Sequence, residues 1–401
     1  MKKIILSAVI TAGLAGRLCA AVAEDSKIFT PFFDMSINEA LYVPSVGNFF
    51  SGGNMNTQVG LLTKITAKDQ LFGLYNFNYA GPCFAPQDSK QFTDRSMAHS
   101  FTFEYRRNLG SKWRVRPGVS FTTDYSRSGA NEAWENGLYN MSSSGLQLAA
   151  DYTFDFEKNG MVSLTYVSKA VTFPNYTDLL KEFANPANTA NVNGGLQDQG
   201  IKQVSLRPIW GKWFGGLTYT LQNYDNQKVV DAAGVYGETK QKDTTTMLDA
   251  GFHQKLWIFE LYPMLSYSMH RSNQNFMRYT SLMDPNPTFV AKNYDYNELT
   301  LSVPLDLNIT GKWAVGGAIN MTSRNYTSRP RRDEDNNYVT GVAQTNLMTT
   351  MTGSIRKRIN DTAMVRLYYA LTVATSNNKF ERYMPGNYTG NTLGLAYQLS
   401  Y

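Results

Sequence analysis

The chain is poor in the residues from which catalytic and metal centres are built. Its 401 residues include two cysteines and three histidines, and no P-loop, dinucleotide fingerprint, CxxC pair or metal-ligand cluster can be read in it. No cofactor or metal is expected. Long apolar runs are missing too: the longest, residues 4–16, is shorter than the roughly 18 residues that a membrane-crossing helix requires. Charged side chains make up 17% and the net charge is +6, which is no balance for a nucleic-acid partner.

The 4–16 run reads as part of a leader. Lys2 and Lys3 precede it, and Ala21, Val22 and Ala23 follow, the positive, apolar and small-residue order of a secretory signal peptide. Cleavage after Ala23 would make residues 1–23 the signal peptide and leave one domain over 24–401. It would also remove Arg17 and Cys19, bringing the charge to about +3. Cys83 would then stand alone, which excludes an internal disulfide in an exported chain.

Tyrosine (25) and phenylalanine (22) are abundant, yet mean hydropathy is only −0.35. That combination suits strands with one apolar face. From residue 54 onward, period-two alternation recurs about fifteen times. In the last segment Leu393, Leu395, Tyr397, Leu399 and Tyr401 share one face, while Thr392, Gly394, Ala396, Gln398 and Ser400 share the other. Leu299, Leu301, Val303, Leu305 and Leu307 alternate in the same way with Thr300, Ser302, Pro304 and Asp306. Small polar residues on the second face indicate a wet interior, and the apolar face then looks out to lipid.

Connections alternate between short and long. Short ones fall at residues 67–69, 109–112, 157–160, 211–212, near 256, 310–312 and 360–362. Long ones fall at 80–96, 127–142, 173–200, 225–243, 273–293, 327–343 and 378–387. Tryptophan follows four of the short turns, as Trp113, Trp213, Trp257 and Trp313, which places one aromatic girdle at one interface. A further strand within 27–42 brings the count to sixteen. The alternative is fourteen strands with an N-terminal plug, because Ser36 and Glu39 also fit a helix capping box.

The signal-like leader, strands of about ten residues, short and long turns in alternation and the aromatic closing strand together resemble a Gram-negative outer-membrane β-barrel of the porin-like type. The resemblance covers residues 24–401. It implies an all-β, transmembrane, antiparallel up-and-down barrel, with short turns in the periplasm and long loops outside. It also implies surrounding outer-membrane lipid and lipopolysaccharide, small solutes as cargo, and barrel-insertion machinery that reads the terminal aromatic, here Tyr401. Association into a homotrimer is compatible with it.

Residues 269–279, MHRSNQNFMRY, raise an enzymatic alternative. His270, Ser272 and Asn273 are similar to the His-x-Ser pattern of two lipid-cleaving barrel enzymes, outer-membrane phospholipase A and the lipid A deacylase. A histidine two residues from a serine on a strand shares its face and could serve as base. Here that face is the lumen face, whereas those enzymes act on lipid. The stretch also has a near copy: residues 272–279 (SNQNFMRY) and 376–383 (SNNKFERY) share Ser-Asn-x-x-Phe-x-Arg-Tyr, with Ala374 where His270 would be. An element repeated once without its base reads as architecture. Similar patterns occur in some polysaccharide-exporting and surface-assembly porins.

Parity also names a pore lining. Lys64, Arg106, Arg114, Arg116, Arg207, Arg356 and Arg366 face inward, with Asp155, Glu260 and Asp306 among them. An excess of bases would favour anions; equally, the charges could pair and brace the wall. Asp124, Asp151 and Asp249, with His253, are placed nearer the outer half. The longest loop carries a helical stretch at 177–183, whose Asp178, Lys181 and Glu182 are constriction candidates. The expected function is a channel and not an enzyme, with an export or assembly barrel, or a lipid hydrolase using His270 and Ser272, as alternatives.

Overall fold

In the computed structural model the two ends of the chain meet. Phe33 N donates to Tyr401 O at 3.2 Å and Tyr401 N to Phe33 O at 2.8 Å, and the first and last strands pair antiparallel from Asp34↔Ser400 to Pro44↔Gly390. This contact closes the sheet, so neither the first nor the last strand is left as a free edge. The structure describes residues 28–45, 50–81, 95–127, 133–177, 194–279, 284, 286–380 and 386–401. The signal-peptide reading of residues 1–23 and Cys83 lie outside them.

Sixteen staves make the barrel: β1 (Phe29–Pro44), β2 (Phe50–Lys64), β3 (Asp69–Gly81), β4 (Arg95–Leu109), β5 (Trp113–Arg127), β6 (Met141–Asp155), β7 (Gly160–Thr172), β8 (Gln199–Trp210) and β9 (Trp213–Val230). β10 (Tyr236–Phe252) continues as Gln254–Leu256, and β11 is made of Phe259–Leu261 and Met264–Ser272. β12 (Tyr296–Asn308), β13 (Trp313–Arg332), β14 (Tyr338–Arg358), β15 (Ala363–Ser376) and β16 (Tyr388–Ser400) complete it. Pro263, which has no N–H to give, separates the two halves of β11, while its carbonyl still accepts from Phe252 N.

The first crossing therefore exists. Ser36 and Glu39 lie inside β1, paired with Asn56 and Gly53 of β2, so the plug alternative is overturned. Two of the expected long loops are also largely strand. β9 runs to Val230 and β10 begins at Tyr236; β13 runs to Arg332 and β14 begins at Tyr338. At about 3.3 Å per residue these four staves exceed the 9 to 11 residues that cross a bilayer, so they stand above the rim as hairpins.

Parity places the apolar face outside. Leu146, Leu148, Leu164, Leu248, Leu367, Leu393 and Leu395 are all exposed, as lipid-facing residues of an isolated barrel must be. Trp113, Trp213 and Trp313 open their staves on the outward face at the short-turn end, each well exposed. Trp257 does not open a stave: it occupies the β10–β11 turn at φ +55°. Inward rows are small and polar and bond across staves, as in Ser302 Oγ to Asn320 Oδ1 (2.6 Å), Thr350 to Thr372 (3.0 Å) and Gln222 Nε2 to Gln199 Oε1 (3.1 Å).

Candidate functional site

The lumen wall carries its charges in braces that cross two or more staves. Glu104 of β4, 5% exposed, accepts from Arg106 Nε at 2.6 Å and from Arg116 Nη1 of β5 at 3.2 Å. Arg116 also holds Asp151 of β6 with both arms, Nε to Oδ2 at 2.8 Å and Nη2 to Oδ1 at 2.9 Å. Ser163 of β7 donates to the same carboxylate at 2.7 Å. The fork-to-carboxylate geometry fixes Arg116 against the wall.

Two further braces pass over a glycine. Arg207 of β8 lies 3.8 Å from Asp249 of β10, and Gly216 of the stave between them leaves the room: a Cβ there would stand 2.7 Å from Asp249 Oδ1. Arg356 of β14 meets Asp306 of β12 at 2.8 Å, across Gly316 of β13. Lys255 pairs with Glu260 at 3.3 Å near the β10–β11 turn.

Arg106, Arg116, Arg207, Glu260, Arg356 and Asp306 thus stand in ion pairs on the inward face, and the parity expectation is corrected at other positions. Asp155 does not line the pore. A register shift between Thr153 and Asp155 resets parity, and its carboxylate accepts from Lys158 N (3.0 Å) and from the outward Trp210 Nε1 (3.1 Å) in the β6–β7 turn. Asp151, Asp249 and His253 belong to the short-turn half, where the two carboxylates offset Arg116 and Arg207 and the His253 backbone N–H donates to Lys212 O at 2.9 Å. Arg114 donates to Asn108 (2.8 Å), and Arg366 stands over the Tyr368 ring at 5.2 Å. Glu104 was not in the sequence-derived set; its inward parity between Phe103 and Tyr105 was the available signal. Asp178, Lys181 and Glu182 lie outside the described residues.

His270 and Ser272 share the lumen face but are committed elsewhere. The His270 Nδ1 meets Thr245 Oγ1 at 3.0 Å, and its ring stacks on Tyr296 at 4.9 Å. Ser272 is 6% exposed, and its Oγ accepts from Gln274 N at 3.0 Å. The second copy repeats this turn, Ser376 Oγ accepting from Asn378 N at 3.0 Å.

The asparagine that follows is a clasp in both copies. Asn273 takes Lys242 N (2.7 Å) and gives to Lys240 O (3.0 Å), while Asn377 takes Thr345 N (2.9 Å) and gives to Ala343 O (2.8 Å). The next residue reaches one stave further: Gln274 Oε1 accepts from Val230 N at 3.1 Å, and Asn378 Oδ1 from Arg332 N at 2.8 Å. Each Ser-Asn-Gln/Asn triplet therefore ties its stave top to the two preceding staves, and the repeat is a structural one.

Above His270 rises a stack of rings and guanidinium groups that the sequence reading did not find. Arg324 lies 4.3 Å over Tyr296 and pairs with Glu298 at 2.6 Å. Tyr326 meets Tyr296 edge-on at 5.9 Å, and Arg329 caps Tyr326 at 4.0 Å. Arg278 then stands 5.0 Å over Tyr338, and Arg332 5.3 Å over Phe380. Register shifts between Asn325, Pro330 and Arg332 turn these side chains off simple alternation.

No protein-family model matches the chain, and no curated protein matches it. Among solved structures it is similar to OmpT, an outer membrane protein of Vibrio cholerae in trimer form, at 11% identity over 94% of this chain and 100% of that one, with a TM-score of 0.47. CdiB from Acinetobacter baumannii gives 11%, 92%, 60% and 0.49, and OpdK from Pseudomonas aeruginosa 9%, 93%, 99% and 0.43. The apolar outer band, the tryptophan level at the short-turn end and the edgeless closure carry the assignment on this chain's own geometry. The protein is a closed, sixteen-stranded antiparallel β-barrel of the transmembrane type.

Proposed function

We propose that this barrel is a channel passing small hydrophilic solutes across the outer membrane. The observation that supports it most is the lining. Sixteen staves enclose more space than side chains fill, and among the described residues no large side chain is fully buried. The inward rows are rich in Ser, Thr, Asn and Gln, which water solvates. Most of the charges on the wall are braced against one another, which leaves the lining only weakly biased toward anions.

Planar-bilayer reconstitution tests the reading. Discrete conductance steps are expected from the folded protein, and their absence under conditions where a known pore conducts would end it. The lipid-hydrolase alternative has less support, because Ser272 Oγ and His270 Nδ1 engage other partners. Fatty-acid release from labelled lipid that Ser272→Ala abolishes would reinstate that alternative.

A further inference from the structure

The arginines of the stack differ in one respect. Arg324, the lowest, is neutralised by Glu298. Arg278, Arg329 and Arg332 have no carboxylate within ion-pair distance among the described residues. Their partners are neutral. Arg329 Nε donates to Asn293 O at 3.2 Å, Arg332 Nη1 donates to Asn336 Oδ1 at 3.0 Å, and the rest of the contact is with ring faces. A guanidinium carries five donors, so most of theirs are uncommitted.

The three charges also act on one another. Burial holds the Arg332 guanidinium below its ordinary value, and Arg278 and Arg329 push the same way. Burial raises the Tyr338 phenol, while Arg332, Arg278 and Arg329 all oppose that rise. Like charges gathered in a partly dry place cost free energy unless an anion joins them. Tyr294, Tyr326, Tyr338 and Phe380 hold the guanidinium planes in place beforehand, which lowers the ordering cost of binding.

We propose that Arg278, Arg329 and Arg332 form a receptor for a small multivalent oxyanion, such as a phosphate ester, at the loop-end mouth of the barrel. Planar forks match phosphate oxygens in pairs, and the position above His270 and Tyr296 would pass the captured anion into the lumen. That delivery step rests on the channel reading; the binding step does not.

The test uses the full refolded chain in detergent, with pyrophosphate titrated calorimetrically at low salt and single-channel recordings made alongside. The folded parent should bind pyrophosphate. The Arg278→Gln/Arg332→Gln double variant should bind about tenfold more weakly or worse, and Arg331→Gln, whose guanidinium is held at the Asn377 carbonyl instead, should bind like the parent. If the double variant fails to fold, Arg329→Lys takes its place: it keeps the charge, loses the fork and should weaken binding. A folded, conducting parent that does not bind pyrophosphate overturns the receptor and leaves the channel. A parent that binds but never conducts keeps the receptor and overturns the channel. Equal binding by parent and double variant overturns the residue assignment. Binding of purified lipopolysaccharide but not pyrophosphate, lost on the same substitutions, would give the cluster to lipid headgroups and overturn the solute receptor.

Discussion

Arg356 on β14 reaches Asp306 on β12 at 2.8 Å by passing over Gly316 of the stave between them. The contact has an electrostatic purpose, because Arg356 stands directly opposite Arg366 on β15, and like charges so placed repel. A Cβ on Gly316 would come 2.7 Å from Ser354 Oγ and 2.9 Å from Asp306 Oδ1. Gly316→Ala should therefore split the pair and destabilise the barrel by about 1 to 3 kcal/mol. The midpoint of urea unfolding measures it, and an unshifted midpoint would show that the saddle is not needed.

Glu104 is the hub of the larger brace, serving Arg106 and Arg116 together. Glu104→Gln leaves both cations on the wall with less compensation. The reversal potential in a salt gradient should move toward anion selectivity, and stability should fall by at most about 3 kcal/mol, because lumen water re-solvates part of the loss. Arg114→Gln, which breaks no ion pair, should move the reversal potential the other way. If both variants shift it in one direction, the wall charges do not set selectivity.

The clasps predict a local effect rather than a global one. Asn377→Ala removes bonds to Thr345 N and Ala343 O, a loss of about 1 to 2 kcal/mol at the top of β15. Proteolysis of folded barrels should then cut near the 378–387 crest faster than in the parent, with the staves below unaffected. Asn273→Ala should do the same at 273–293. Unchanged cutting in both variants would remove the structural reading of the repeat.

The parts legible in sequence were those ruled by period two. Leu393, Leu395 and the other outward residues announced their face because lipid demands it at every second position. The hairpins above the rim read as loops in sequence because water reaches both faces there: Asn226, Gln227 and Lys228, and again Lys240, Gln241 and Lys242, are polar in succession. The braces depend on register between staves far apart in the chain: nothing near Asp306 in sequence names Arg356. The mouth stack depends on bulges that change parity between Asn325 and Arg332, and Asp155 was misplaced by the same kind of shift. Local pattern fixes which way a side chain faces; register fixes what it meets.

Asp69 gives the barrel an acid-sensitive turn. It opens β3 at the end of the β2–β3 turn, where Thr66 Oγ1 donates to its Oδ2 at 2.6 Å and its own N–H donates back to Thr66 Oγ1 at 3.0 Å. The Thr66 hydroxyl first, and the Tyr105 phenol after it, hold the carboxyl below the usual carboxylate range, with Arg107 and Lys68 adding smaller effects. A depressed value in the folded state means that the carboxylate contributes stability above its unfolded value near 4 and loses it as pH falls through the folded value. Asp69→Asn should consequently lower the unfolding midpoint at neutral pH, and the gap from the parent should narrow as the pH is taken to about 3. Thr66→Val removes the largest stabilising contact and should shift the parent's acid loss to higher pH. A gap between parent and Asp69→Asn that stays constant from neutral to acid would mean that the turn holds the aspartate by shape alone, not by charge.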